Sequence, residues 1–426
     1  FEATTITVPE TVGGRRVTRI SNKAFNNRVY LKTVYIPSSV KTIEPGAFRG
    51  TWRLESINVD SGNTNYTSVD GILFSKSMDV LECAPTKSVT SYAVPKTVTK
   101  IQDYAFYESK DMGLSSITFN EGLVEIGQYA FYMNEKISSI TFPKTLRKIG
   151  KSAFYGATYT MEDDTWTSPE GVLQTVQFND GLEEIGEAAF ANQYFRDTFQ
   201  LPDSVKVLAP YAFANCTAIT KFILPNDLET FAPSAFNGCA GILEFACKEG
   251  CKNFAVVDKI IYTKDMTKLI LCPSGRTEAV TVPEGVTQIG DYAFYMVDNL
   301  QEYNFPSTVK RFGRETFAQT YGLKSFTIPD SVTEIGIECF MGAENLSKIT
   351  IGTGLTSIPE AAFYETAISS VTIPGNVKSI GYEAFTGTRL ASATLGEGVE
   401  VIDRDAFSRT PLATITLPDS SLILIS

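Results

Sequence analysis

Apolar positions recur along this chain in one arrangement, repeated from end to end. A representative stretch is Leu323 to Phe340, LKSFTIPDSVTEIGIECF. Leu323, Phe326 and Ile328 set out the pattern L-x-x-φ-x-φ, with φ an apolar residue, which is the alternation of a short strand buried on one side. Pro329 closes that strand, because proline cannot donate to a ladder. Prolines stand at the same place at Pro9, Pro37, Pro95, Pro143, Pro202, Pro225, Pro283, Pro306, Pro374 and Pro418. A shorter apolar pair follows, Val332 and Ile335. Next comes Gly336, with counterparts at Gly127, Gly150, Gly186, Gly290, Gly313 and Gly381, expected to take the positive φ of a turn. Each unit ends on phenylalanine: Phe25, Phe48, Phe106, Phe131, Phe154, Phe190, Phe213, Phe236, Phe294, Phe317, Phe340, Phe363, Phe385 and Phe407. Alanine precedes all of them except Phe317 and Phe340, which follow Thr316 and Cys339.

Most spacings between these phenylalanines are 22, 23 or 25 residues, so each repeat is far too short to bury its apolar side chains alone. Stacked repeats can bury them, with each strand about 4.8 Å from the next. The pattern therefore predicts a solenoid, mostly β, made of short parallel strands, turns and brief 3₁₀ pieces, with the phenylalanines as an internal spine. Segments such as Gly127 to Phe131 are too short for a stable helix.

Three spacings are longer, at 58, 36 and 58 residues. The two of 58 share a design: VDGILFSKSMDVLECAP (Val69 to Pro85) parallels VDKIIYTKDMTKLILCP (Val257 to Pro273). Each reads as a β-hairpin with its turn at Lys76 to Asp79 or Lys264 to Thr267, serving either as a binding protrusion or as filler of the stack. The third interruption contains TYTMEDDTWTSPEG (Thr158 to Gly171). Here Glu162, Asp163 and Asp164 precede Trp166, one of two tryptophans. A tryptophan on a polar insertion suits either a partner hot spot or a cover for the solenoid edge. One solenoid over residues 1–426, with hairpin-type insertions at 61–94, 157–171 and 249–282, is the domain organisation expected.

The fifth position of L-x-x-φ-x-φ faces away from the core. Along the chain it holds Thr7, Tyr35, Asn58, Ala93, Thr118, Thr141, Gln177, Gln200, Ile223, Ala246, Thr281, Asn304, Thr327, Thr350, Thr372, Thr394 and Thr416, none charged. This is either plain β-propensity or a neutral, hydroxyl-rich face for a protein or glycan. Its least uniform zone runs from Gln177 to Ala246. Charged residues gather instead around the second short strand: Lys41, Lys100, Arg147, Lys148, Glu183, Glu184, Lys310, Arg311, Glu334 and Lys378. They read as a solvated face of mixed sign.

Composition narrows the chemistry. The chain has no histidine, which removes Ser-His-Asp and Cys-His pairs, histidine bases and nearly all histidine-containing metal sites. The seven cysteines, Cys83, Cys216, Cys239, Cys247, Cys251, Cys272 and Cys339, form no disulfide framework, and Cys247 with Cys251 is a weak metal signal. The net charge of −11, with 37 basic residues read as scattered among 48 acidic ones, argues against nucleic acid and a polybasic membrane patch. No apolar run approaches a membrane helix, so a signal and any anchor are expected outside the given residues.

The repeats resemble the BspA-like leucine-rich repeats of bacterial surface proteins, whose unit reads L-x-x-I-x-L-P-x-x-L-x-x-I-G-x-x-A-F. ISSITFPKTLRKIGKSAF (Ile137 to Phe154) and ISSVTIPGNVKSIGYEAF (Ile368 to Phe385) match almost position by position. The family often places Cys three residues after the Phe, as at Cys216 and Cys239; elsewhere this chain departs from that. The resemblance implies a curved, right-handed leucine-rich-repeat solenoid with a parallel sheet on its concave face, a single elongated domain, export to the cell surface, and adhesion to host or matrix proteins. The expectation is a monomeric, non-catalytic binding scaffold without cofactor or metal, taking a surface protein or glycan near Trp166, Gln177, Gln200 and Ile223, with Glu162, Asp163 and Asp164 steering it. A carbohydrate-active or carbohydrate-binding protein, or a passive surface spacer, are the competing readings.

Overall fold

The computed structural model describes residues 3–85, 90–107, 113–156, 160–162, 165–167, 173–300, 302–417 and 424–425. It divides into two compact units. The first comprises Phe1–Arg196, Gln200–Thr217 and Pro225–Phe236, and the second Asp197–Phe199, Ala218–Leu224 and Asn237–Ser426. Both are β-solenoid stacks, and the only helical piece among the described residues is a 3₁₀ turn at Pro233–Phe236.

Every L-x-x-φ-x-φ segment forms a strand, and where neighbouring strands pair they do so in parallel with like positions in register. In the first unit Ile6 pairs with Val34 and Val34 with Ile57. In the second, Phe326 pairs with Ile349, and Val371 with Ala393. The shorter apolar pair forms a strand of two residues. In the first unit Ile101, Ile126, Ile149, Ile185 and Leu208 follow one another in parallel register. Two residues suffice because the interior strands of these sheets are hydrogen-bonded on both sides, so the ladder runs along the stack and not along the chain.

The phenylalanine spine is present as stacked rings. In the first unit Phe106, Phe131, Phe154, Phe190, Phe213 and Phe236 are buried, with successive centroids 4.9 to 6.0 Å apart. In the second, Phe294, Phe317, Phe340, Phe363, Phe385 and Phe407 repeat this at 5.1 to 5.5 Å. Alanines before them are buried against the neighbouring turn. Thr316 replaces one alanine without penalty because its hydroxyl donates to the Gly313 carbonyl at 2.8 Å.

The residue three places after the phenylalanine caps a carbonyl of the stack. Cys216 donates its thiol to Phe190 O at 3.3 Å and Asn134 its amide to Phe106 O at 2.7 Å, while Thr366 and Thr388 bond back to Phe363 O and Phe385 O at 3.0 and 2.9 Å. Cysteine, threonine and asparagine exchange there because each is a small donor. That explains why the cysteine at this position comes and goes.

The expectation for the glycines fails. Gly336 and its counterparts Gly127, Gly150, Gly186, Gly290, Gly313 and Gly381 do not take positive φ. Their reason is closeness: a Cβ on Gly336 would lie 2.4 Å from Arg314 N and Gly313 C in the preceding turn. Positive φ falls instead two residues before the phenylalanine and two after it. Tyr129 (55°) and Met133 (56°) flank Phe131, and Glu315 (49°) and Gln319 (56°) flank Phe317. Non-glycine residues hold this left-handed geometry because amides there bond to the next turn, as Tyr129 N does to Lys151 O at 2.8 Å and Glu315 N to Ile337 O at 3.1 Å.

The two 58-residue spacings hold more than a hairpin. Ile72–Ser75 and Val80–Cys83 form the expected pair, but a further strand, Tyr66–Val69, precedes them in antiparallel contact. In the second unit Phe254–Val257, Ile260–Thr263 and Lys268–Leu271 repeat this. The added turns are Asp70-Gly71 and Asp258-Lys259, with positive φ at both residues, as a two-residue hairpin turn requires. The last strand of each module pairs in parallel with the next short strand, Lys100–Ile101 or Gln288–Ile289. The modules thus fill a rung of the stack. In the third interruption Thr160–Glu162 and Thr165–Thr167 form an antiparallel pair with Met161 opposite Trp166.

Candidate functional site

The fifth strand positions lie side by side in register, as expected. Thr141 is opposite Gln177, Thr281 opposite Asn304, and Thr372, Thr394 and Thr416 follow one another. All are exposed except Asn58, Ile223 and Ala246, which are half-buried.

The face is wider than this single column. Two residues earlier in each strand a second outward column runs parallel to the first, and sequence reasoning missed it. In the first unit it holds Ser91 opposite Ser116, whose hydroxyls bond at 2.8 Å, and Ser139 opposite Thr175. In the second it holds Ser370, Ser392 and Thr414. The signal was available, since period-two alternation puts both positions on the same side of a strand. The arrangement is two columns rich in short hydroxyls, about 4.8 Å apart along the stack and rigidly held by the strands beneath, with Lys348 opposite Ser325 among the exceptions. It offers hydrogen-bond donors and acceptors and few charges.

Against that uniform background two places stand out. In the second unit, Lys221 and Glu244 form an ion pair of 2.6 Å in the second column, directly beside Ile223 and Ala246. In the first unit, Tyr35 is 47% exposed between Thr7 and Asn58 and lines a shallow groove with Pro37 and Val59. Of the residues singled out from sequence, Gln177 and Gln200 are exposed in the first unit and Ile223 is half-buried in the second. Trp166 and Glu162 lie on the paired strands of the insertion, and Asp163 and Asp164 lie outside the described residues.

The charged face around the short strands is organised into cross-turn pairs. Lys100 meets Glu125 at 3.0 Å, Lys148 meets Glu184 at 2.9 Å, and Glu183 accepts from Lys206 at 2.8 Å. In the second unit Arg311 meets Glu334 at 3.0 Å and Lys378 meets Glu400 at 2.8 Å. Exposed pairs of this kind are each worth no more than about 1 kcal/mol, so they set register and solubility more than stability.

The reactive groups are muted. All seven cysteines stand outside any disulfide. Burial pushes the Cys83 thiol up to about 12, and the Cys272 and Cys339 thiols are raised further by the same cause. A thiol so raised is a poor nucleophile at neutral pH. Among the described residues no group of three or more cysteines and carboxylates is placed to hold a metal ion. No helix among them is long and apolar enough to cross a membrane.

The comparisons agree with this geometry. The model of the BspA type leucine-rich repeat region matches in 6 copies over residues 2–83, 82–168, 170–257, 272–388 and 311–425. A leucine-rich repeat protein from Eubacterium ventriosum is similar at 19% identity and a TM-score of 0.63, over 83% of this chain and 90% of its own. A leucine-rich repeat protein from Bacteroides ovatus is similar at 24% identity and 0.51, over 85% and 88%. A leucine rich cell surface protein from Faecalibacterium prausnitzii is similar at 22% and 0.48, over 98% and 88%. No curated protein matches the chain. With family repeats matched over nearly its whole length and the fold shared with solved leucine-rich repeat structures, the chain belongs to the BspA-type leucine-rich repeat family.

Proposed function

We propose that this chain is a non-catalytic extracellular scaffold, secreted or displayed at the cell surface, that adheres to a host or matrix protein through the exposed face of its strands. The observation that carries this reading is the pair of in-register, hydroxyl-rich columns. They give a rigid surface of hydrogen-bonding groups, interrupted by few charges, that suits recognition more than chemistry. Membership of a repeat family of surface proteins supports the location.

Regular threonines and serines offer one chemistry repeated, so partner choice falls to the places that interrupt them. In the first unit these are Gln177, Gln200 and the insertion, where Trp166 serves as anchor and Glu162, Asp163 and Asp164 steer a basic ligand. In the second unit Ile223 is tested separately. The experiment is a screen of the full chain against immobilised matrix proteins, followed by Trp166→Ala, Gln200→Ala, Ile223→Ser and Thr394→Ala on any ligand found. Loss with either of the first two supports the first-unit assignment. Loss confined to Thr394→Ala moves the site to the C-terminal turns and ends it.

A further inference from the structure

Away from the strand face, the first turns of the first unit carry the opposite charge from the chain as a whole. Between Arg15 and Arg53 stand nine basic residues and one acidic residue, Glu44, in a protein with 37 basic and 48 acidic residues. The even scatter expected from composition fails here. Arg19 pairs with Glu44, and Lys32 lies 3.5 Å from Glu55. Arg28, Arg49 and Arg53 have no carboxylate partner among the described residues.

These three arginines share one corner of the stack with exposed aromatic rings. The Arg53 guanidinium lies over the Tyr30 ring, 5.3 Å from its centroid. Arg49 lies over Tyr104 and Tyr107, at 5.8 and 5.7 Å. Arg49, Trp52 and Tyr107 line one shallow cleft, and Arg28 and Tyr30 line another beside Phe25. The two clefts are joined by the Asn27 backbone amide, which bonds to the Arg49 carbonyl at 3.0 Å. The repeat explains the placement. Arg49 follows Phe48 as Tyr107, Tyr132 and Tyr155 follow Phe106, Phe131 and Phe154, and those tyrosines stack at 5.1 and 5.0 Å. A guanidinium therefore forms the first rung of an aromatic column. Tyr30 and Trp52 are 43% and 46% exposed.

We propose that this corner binds a linear anionic polysaccharide, with Arg28, Arg49 and Arg53 taking its sulfates or carboxylates and Tyr30 and Trp52 packing against the apolar faces of its sugar rings. Guanidinium presents a planar donor fork that matches carboxylate and sulfate oxygens, and cation–π contact holds two of these forks in place before the ligand arrives. Unpaired like charges in one region repel, so a polyanion relieves repulsion as well as making contacts. The clefts are shallow and follow one another from turn to turn, which suits a long chain that lies across the corner and not a compact ligand. The amphipathic rings favour sugar over an acidic peptide or duplex DNA, for which the arginines alone would suffice.

The test uses the full chain and size-defined heparin oligosaccharides, with binding measured calorimetrically from about 0.05 to 0.3 M salt. The parent should bind, and the combined variant Arg28→Gln, Arg49→Gln, Arg53→Gln should lose at least tenfold in affinity. The slope of log affinity against log salt should fall by roughly two to three, one for each contact removed. Tyr30→Leu with Trp52→Leu should lose affinity several-fold at an unchanged salt slope. A variant removing three cations elsewhere (Lys310→Gln, Lys324→Gln, Lys378→Gln) should bind as the parent does. Circular dichroism spectra and melting temperatures would show that each variant is folded. The proposal is overturned if the parent does not bind, if the arginine or the aromatic variant binds unchanged, or if polyglutamate or duplex DNA of equal charge binds as tightly as heparin.

Discussion

Glu82 offers the sharpest test of the structure's energetics. When the two 58-residue modules are aligned, it occupies the place that Ile270, a buried apolar residue, fills in the second. Glu82 lines a narrow cleft with Glu44, Phe48, Asp103 and Tyr104. Burial raises its carboxyl from the ordinary 4.5 to about 7, and a hydrogen bond from Gln102 and the charge of Lys100 offset this only in part. Below about pH 4.5 the group is protonated in both the folded and the unfolded chain. Between there and about 7 the folded chain keeps a proton that the unfolded chain has released, so stability falls as pH rises. Above about 7 the loss is complete. A rise from 4.5 to about 7 corresponds to roughly 3 kcal/mol as an upper bound, which water entry and side-chain relaxation reduce. Glu82→Gln cannot ionise. It should match the parent near pH 4.5 and exceed it by about 1–3 kcal/mol at pH 8. Urea unfolding followed by circular dichroism at pH 4.5, 6 and 8 measures the difference. A stability gap that is the same at all three pH values, or a variant less stable than the parent at pH 8, would refute the burial of this carboxylate.

Phe317 is fully buried between Phe294 and Phe340, so Phe317→Ala should cost about 3–5 kcal/mol, whereas Thr350→Ala on the exposed face should cost under about 1 kcal/mol. Equilibrium unfolding that reversed the two would invert the assignment of inside and outside. Gly336→Ala forces a methyl group to within 2.4 Å of the backbone of the preceding turn and should destabilise by about 1–3 kcal/mol, while Gly375→Ala, whose nearest neighbour is 3.7 Å away, should stay within about 0.5 kcal/mol. Equal melting temperatures for these two variants would show that the stack can open at Gly336 without cost.

The repeat itself was fully legible in the chain, because in a stacked fold burial follows a short period and each turn contacts only its neighbours. Phe326 and Ile328 point inward and Thr327 outward by alternation alone, Leu323 enters the core from the turn before the strand, and the phenylalanine spine follows from spacing alone. The tertiary structure decided whatever depends on the distance between residue i and the residue one turn away. Gly336 looked like a turn glycine, yet it is required because two backbones approach each other there, and no local pattern encodes that distance. Left-handed geometry at Tyr129 and Glu315 defies local preference, since it is imposed by bonds to the next turn. The strands Tyr66–Val69 and Phe254–Val257 were hidden because each becomes a strand only when paired with the hairpin after it. Arg49 beside Tyr107 lies 58 residues away in sequence, and only the stacking of turns makes a cation and an aromatic column one surface.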